Sequence, residues 1–108
     1  MTVQELAVAL QLKTICMPDP DREVSGGYAG DLLSWVMGRA PSDAAWMTIM
    51  SNVNIVAVAM LRDVATIIVC ENAEISEDVQ SRAEQQGINL LVAEKGIYEI
   101  CTEVAKLV

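Results

Sequence analysis

The sequence predicts an α/β fold, a layered sandwich in which helices flank a mainly parallel sheet. Three observations predict it. Residues 65–93 read as strand, helix, strand, the unit that builds a parallel pair through a right-handed crossover. Residues 66–70 (TIIVC) and 88–92 (INLLV) are nearly continuous apolar runs, as strands covered on both faces require. The second half of the chain alternates strands and helices without a break.

The elements follow from local chemistry. Thr2 caps a short first helix, Glu5 completes a capping box, and Leu6, Ala7 and Leu10 form the inner face. Residues 12–16 (LKTIC) form a short strand. Pro18 and Pro20 make residues 18–21 a turn, because proline lacks the N–H that a ladder or helix interior needs. Residues 22–29 (REVSGGYA) are extended, with Gly26 and Gly27 marking a bulge, a bend or a close backbone approach. Asp31 caps the next helix, which carries Leu32, Leu33, Trp35, Val36 and Met37 and ends at Gly38. A loop over 39–43 leads to a strand at 45–50 (AWMTIM). Asn54 caps a helix at 55–61 (IVAVAML), apolar nearly all round and expected to be buried on most sides.

After the strand at 66–70, Ser76 caps a helix with Glu77 and Asp78 in its first turn, where the dipole favours negative charge. Ile75, Val79 and Ala83 mark its apolar side, and Gly87 its left-handed end. Gly96 opens the last helix. Ile97 or Tyr98, then Ile100, Cys101, Val104 and Leu107, recur at helical spacing, and Lys106 complements the C-terminal dipole.

Composition narrows the function. The chain of 108 residues reads as one domain, 1–108, with one core. Apolar residues make up 53%, which argues against disorder, and with no Phe the core is built from Val, Ile, Leu, Ala and Met. A net charge of −8 leaves no positive excess to displace counterions, so neither nucleic acid nor an anionic membrane is an expected partner. The 3 cysteines are odd in number, far apart and without a CxxC. They read as core residues of a reducing compartment, not as disulfides or a metal site. The absence of histidine removes the commonest general base and metal ligand. No basic and apolar leader opens the chain and no apolar run approaches ~18 residues, so the expected location is cytoplasmic.

Ser51, Asn52 and Asn54 are the leading candidate ligand-binding residues. They link a strand end to a helix start, where ligands sit in open α/β sheets and where helix amides attract anions. The plain alternative is a turn with Asn54 as its cap. Glu71 and Asn72 end the next parallel strand and are expected beside that turn, completing one crevice. Glu71 would turn that crevice toward amine or hydroxyl ligands, and the alternative is a solvated loop. No GK[ST] motif supports a phosphate loop. Gly26, Gly27 and Tyr28 would admit a ligand or partner strand if they are not a simple bend. Arg22 either binds an anion or pairs with Asp21 or Asp31. Trp35, Met37, Trp46 and Met47 are either core or a dimerisation patch. Glu74, Glu77, Asp78 and Glu84 form a solvated face without metal-ligand spacing.

Two stretches, TIMSNVNIVAVAML and VATIIVCENAEISEDVQSRAEQQGINLLVAEKGIYEI, resemble the DRTGG domain family and, more loosely, the N-terminal domain of HPr kinase/phosphorylase. DREVSGGYAGDLLSWVMG resembles the lead-in of small stand-alone members, so the resemblance spans nearly the whole chain. The family has a strand ending in a Gly-Asp-Arg-like turn, a helix, and a strand ending in Thr-Gly-Gly. Those turns are replaced here by Ser51-Asn52-Val53-Asn54 and by Cys70-Glu71-Asn72, so no family ligand set is carried over.

The resemblance implies a regulatory module of the kind attached to CBS domains and phosphotransacetylases. The expectation is a non-catalytic regulatory or interaction module, homodimeric, acting on a protein partner and needing no cofactor. The alternative is a small-molecule or nucleotide sensor binding at the strand-end crevice. An enzyme is disfavoured because no nucleophile is paired with a base.

Overall fold

A computed structural model describes residues 1–108. In chain order the elements are α1 (Val3–Ala9), β1 (Lys13–Cys16), β2 (Gly26–Ala29), α2 (Leu33–Arg39), β3 (Ala44–Thr48), α3 (Asn54–Arg62), β4 (Thr66–Val69), α4 (Glu77–Gln86), β5 (Leu90–Val92) and α5 (Ile97–Leu107). The five strands form one sheet in the order β1-β5-β4-β3-β2. β2 to β5 run parallel, and β1 alone joins antiparallel, along β5. This is the mainly parallel α/β sandwich the sequence predicts.

The strand pleat sorts side chains onto two faces. Trp46, Ile67, Val69, Leu90 and Val92 face α2, α3 and α4 and pack with Val36, Ile55, Ala59, Val79 and Ala83. Ala45, Met47, Ile68, Cys70 and Leu91 face α1 and α5 and pack with Val3, Leu6, Ile100 and Val104. Each β–α–β step moves one strand along the sheet in the same direction. Right-handed crossovers then place all three connecting helices on one face. α5 leaves β5 toward the opposite face and lies beneath β2 and β3. No helix is long and apolar enough to cross a membrane.

The caps behave as local chemistry dictates. Thr2 N donates to Glu5 Oε1 at 2.8 Å, and Glu5 N donates to Thr2 Oγ1 at 3.1 Å. These bonds to Thr2 hold the Glu5 carboxyl below its ordinary pKa. Ser76 caps α4 by accepting from Val79 N, and Gly87 closes it with φ of 71°.

Several expectations are corrected by tertiary contacts. Asp31 does not cap α2, whose N-cap is Leu32. The in-register pairing of β2 and β3 brings Asp31 to the end of β3. There Asp31 Oδ1 accepts from Thr48 Oγ1 at 2.7 Å and from Ile49 N at 2.8 Å, satisfying a buried hydroxyl. Asn54 is the first residue of α3 and not its cap, and its N–H donates to Asn52 Oδ1 at 2.9 Å in an Asx turn. α3 is less buried than its composition predicts. It lies in the outer layer between α2 and α4, which leaves Met60 50% and Leu61 66% exposed.

Arg22 pairs with neither Asp21 nor Asp31. Its guanidinium donates to Asp43 Oδ1 at 2.6 Å and to Asp63 O at 2.8 Å, and stands 3.1 Å from Asp63 Oδ1. Trp46 and Met47 are core residues on opposite faces, whereas Trp35 and Met37 are exposed. Arg39 stacks over the Trp35 ring at 3.9 Å. Gly26 and Gly27 form no bulge, because β2 holds unbroken register with β3. Gly27 permits a close approach instead: a Cβ there would stand 3.0 Å from Met47 Cε.

Candidate functional site

The carboxyl ends of the parallel strands gather the loops at 49–53, 70–76 and 93–96. β4 exits toward α4 on one face and β5 exits toward α5 on the other. Such divergence is where a binding crevice opens in α/β sheets. Here it is laced shut. Glu71 N donates to Lys95 O at 2.9 Å, and Asn72 N donates to Ala93 O at 2.8 Å.

The Glu71 carboxylate lies over Gly96, where an added Cβ would come within 3.3 Å of Glu71 Oε2. It therefore places negative charge at the start of α5, which the helix dipole favours. Glu71 and Asn72 both take left-handed backbone conformations, with φ of 67° and 53°. A left-handed conformation costs a residue such as Glu roughly 1–2 kcal/mol. These are the positions at which the resemblance has Gly-Gly, so the chain keeps a glycine-like backbone without the glycines.

An open polar groove lies one strand further along. It has a volume of about 550 Å³ and runs between the 51–53 turn and α4. Ser51, Asn52, Ser76, Asp78, Ser81, Arg82 and Gln85 line it, with only Val53 and Val79 apolar. Asn52 Oδ1 and Ser76 Oγ are occupied by backbone N–H groups. The hydroxyls of Ser51 and Ser81, the amides of Asn52 and Gln85, and the Arg82 guanidinium remain as donors. Arg82 is distinct among the arginines. Arg22 is paired, Arg39 is stacked, and Arg62 Nε donates to Ala40 O at 2.8 Å, whereas Arg82 has no ion-pair or hydrogen-bond partner in the chain.

The single crevice predicted from sequence is thus divided. Ser51 and Asn52 line the groove beside α4, while Asn54 lies outside it. Glu71 turns toward α5, and Asn72 lines a separate depression of about 310 Å³ with Lys13, Ile15 and Glu74. Ser76, Ser81, Arg82 and Gln85 escaped sequence reasoning. Their signal was present: Asp78, Ser81, Arg82 and Gln85 share one helical face by spacing.

None of the three thiols is poised as a nucleophile. Cys16, Cys70 and Cys101 are free thiols, and burial raises the pKa of each. Cys70 is pushed up to about 12 by burial, with the nearby Cys101, Glu71 and Asp31 adding to it. A thiol so placed is protonated at neutral pH. No three His, Cys, Asp or Glu side chains converge in the manner of a metal site.

No protein-family model matches the chain, and no curated protein matches it. Among solved structures it is similar to the CBS and DRTGG domains of the regulatory region of a Clostridium perfringens pyrophosphatase, solved with its activator, diadenosine tetraphosphate. The TM-score is 0.71 at 10% sequence identity. The likeness covers 95% of this chain but 45% of that one, so this chain spans less than half the length of its neighbour. At that identity the likeness is one of fold.

Proposed function

We propose that the chain is a non-catalytic regulatory module of DRTGG type, cytoplasmic and homodimeric, that acts on a protein partner and is tuned by a small ligand. The ligand site in this reading is the groove between the 51–53 turn and α4. The observation that carries it is Arg82, the one arginine with no partner, facing a polar groove in a chain of net charge −8. An unpaired cation beside the start of α3 and free hydroxyl and amide donors suit an anionic group on the ligand. Asp78 adds an acceptor for a hydroxyl or amine on the same molecule. Ser51 and Asn52 contact the ligand directly in this proposal. Asn54 sets the turn, and Glu71 and Asn72 hold the neighbouring loops together.

The second reading is a nucleotide sensor at the same groove. The fold likeness to a regulatory region that carries a dinucleotide activator supports it. With only Val53 and Val79 as apolar lining, the groove engages the phosphate end more than the base. Thermal denaturation with inorganic phosphate, AMP, ATP and diadenosine tetraphosphate separates the readings. A ligand at one hundred times its Kd adds about 2.7 kcal/mol of stability, and Arg82→Ala abolishes that gain. A rise with the nucleotides alone supports the sensor. A flat response to every compound removes the ligand site and leaves an interaction module.

A further inference from the structure

The polar groove does not end at Arg82. The same side chain borders a second depression of about 360 Å³, whose other lining residues are Val56, Ala57, Met60, Leu61 and Gln86. Both depressions lie along the seam where α3 packs beside α4. Helical spacing makes that seam continuous. Val53, Ala57, Met60 and Leu61 share one side of α3, and Asp78, Arg82, Gln85 and Gln86 share the facing side of α4. β3 and β4 are parallel and each leads into its helix, so α3 and α4 start at the same end of the sheet and run the same way. The seam therefore has a direction. The hydroxyl and amide donors of Ser51, Asn52 and Ser81 lie toward the helix starts, and hydrocarbon lies beyond Arg82, toward the helix ends.

The apolar half is not explained by the core. α3 buries Ile55, Val56, Val58 and Ala59, whereas Ala57, Met60 and Leu61 remain exposed. A depression of this size, mostly apolar with a few polar groups that fix orientation, is the usual form of a small-molecule site. Its apolar lining is aliphatic throughout, with no aromatic ring on which a base could stack. Arg82 joins the two halves chemically. Its stem covers apolar surface while its guanidinium stays free to take two oxygens of an anion.

We infer that the α3–α4 seam is one bipartite site for an anion carrying an aliphatic chain. Arg82 holds the anionic head with Ser51, Asn52 and Ser81, and the chain lies over Ala57, Met60 and Leu61. This deepens the ligand site proposed above and rests on it. The phosphate end of a nucleotide uses the same polar half, while its base gains little from the aliphatic one.

Amide chemical-shift titration of the full chain with inorganic phosphate, ethyl, butyl and hexyl phosphate, and AMP tests the assignment. Affinity is expected to rise about two- to four-fold per methylene, the upper figure being that of a fully buried one, with shifts spreading to Met60 and Leu61. Met60 and Leu61 are exposed and glutamine is a good helix former, so Met60→Gln/Leu61→Gln suits the fold. That variant is expected to flatten the chain-length dependence and to leave inorganic phosphate at its wild-type affinity. Arg82→Ala is expected to weaken every ligand by about ten-fold or more. If the double variant loses its fold, Leu61→Gln alone decides by the same comparison. Equal affinity for phosphate and its alkyl esters overturns the bipartite site and leaves the polar site standing. A chain-length dependence that the double variant leaves intact puts the chain elsewhere and overturns it too. Tighter binding of AMP than of hexyl phosphate overturns the aliphatic occupant in favour of a base. Binding of none of them overturns this inference and the ligand site together.

Discussion

Trp46→Ala is expected to lower stability by about 3–5 kcal/mol, much of the roughly 5–15 kcal/mol that holds a domain of this kind. Trp46 is fully buried at the centre of β3, flanked in register by Tyr28 and Ile67. Its ring fills the core between the sheet and the three connecting helices. Its Nε1 also donates to Gly30 O at 2.9 Å, tying down the turn that leads into α2. Alanine empties the volume and leaves that carbonyl without its donor. Trp46→Phe weights the loss toward the hydrogen bond, about 1–3 kcal/mol, since it keeps most of the volume and adds only a small cavity. Urea denaturation followed by circular dichroism measures both. The chain has 2 tryptophans and Trp35 is 54% exposed, so emission from Trp46→Phe should shift to the red. Stability unchanged in Trp46→Ala would contradict the packing described.

Arg22→Ala is expected to cost about 2 kcal/mol, the range for hydrogen bonds to charged groups. Arg22 joins the segment before β2 to the residue before β3 and to the left-handed end of α3. Burial alone would lower its pKa, but the hydrogen bonds and charges of Asp43 and Asp63 outweigh that and hold it above its ordinary value. The side chains of Asp43 and Asp63 are 49% and 70% exposed, so solvent screening keeps the figure modest. Removing the cation also leaves the two carboxylates facing each other. Arg22→Lys should recover less than half of the loss, because an ammonium cannot reproduce the fork. A double-mutant cycle with Asp43→Ala measures the coupling, and a coupling near zero would show the pair to be inert.

What was legible in the sequence was local. Thr2 with Glu5, and Ser76 with Gly87, announce helix ends because a cap is a contact within a few residues. The apolar runs at 66–70 and 88–92 announce buried strands because burial on both faces leaves no polar alternation. What escaped depends on partners brought by register. Asp31 looks like a cap until β3 sets Thr48 beside it. Arg22 looks free to bind Asp21 until the amino ends of the strands bring Asp43 close.

The antiparallel attachment of β1 has no local signature either, since nothing in residues 12–16 names the edge they join. The candidate site was half legible. Ser51 and Asn52 could be placed at a strand end from the order of elements. The direction of Glu71 could not, because two successive left-handed residues without glycine turn it toward α5. Arg82 was hidden on a helix whose acids dominate its composition.

The functional reading stands on Arg82 and the 51–53 turn acting together as a ligand site. Titration of the 15N-labelled chain with ATP, followed by amide chemical shifts, tests this most directly. The shifts are expected at Ser51, Asn52, Ser76, Ser81 and Arg82, with Cys101 and Val104 on the opposite face unmoved. Shifts centred on Glu71 and Gly96 instead, or none at millimolar nucleotide, would contradict it.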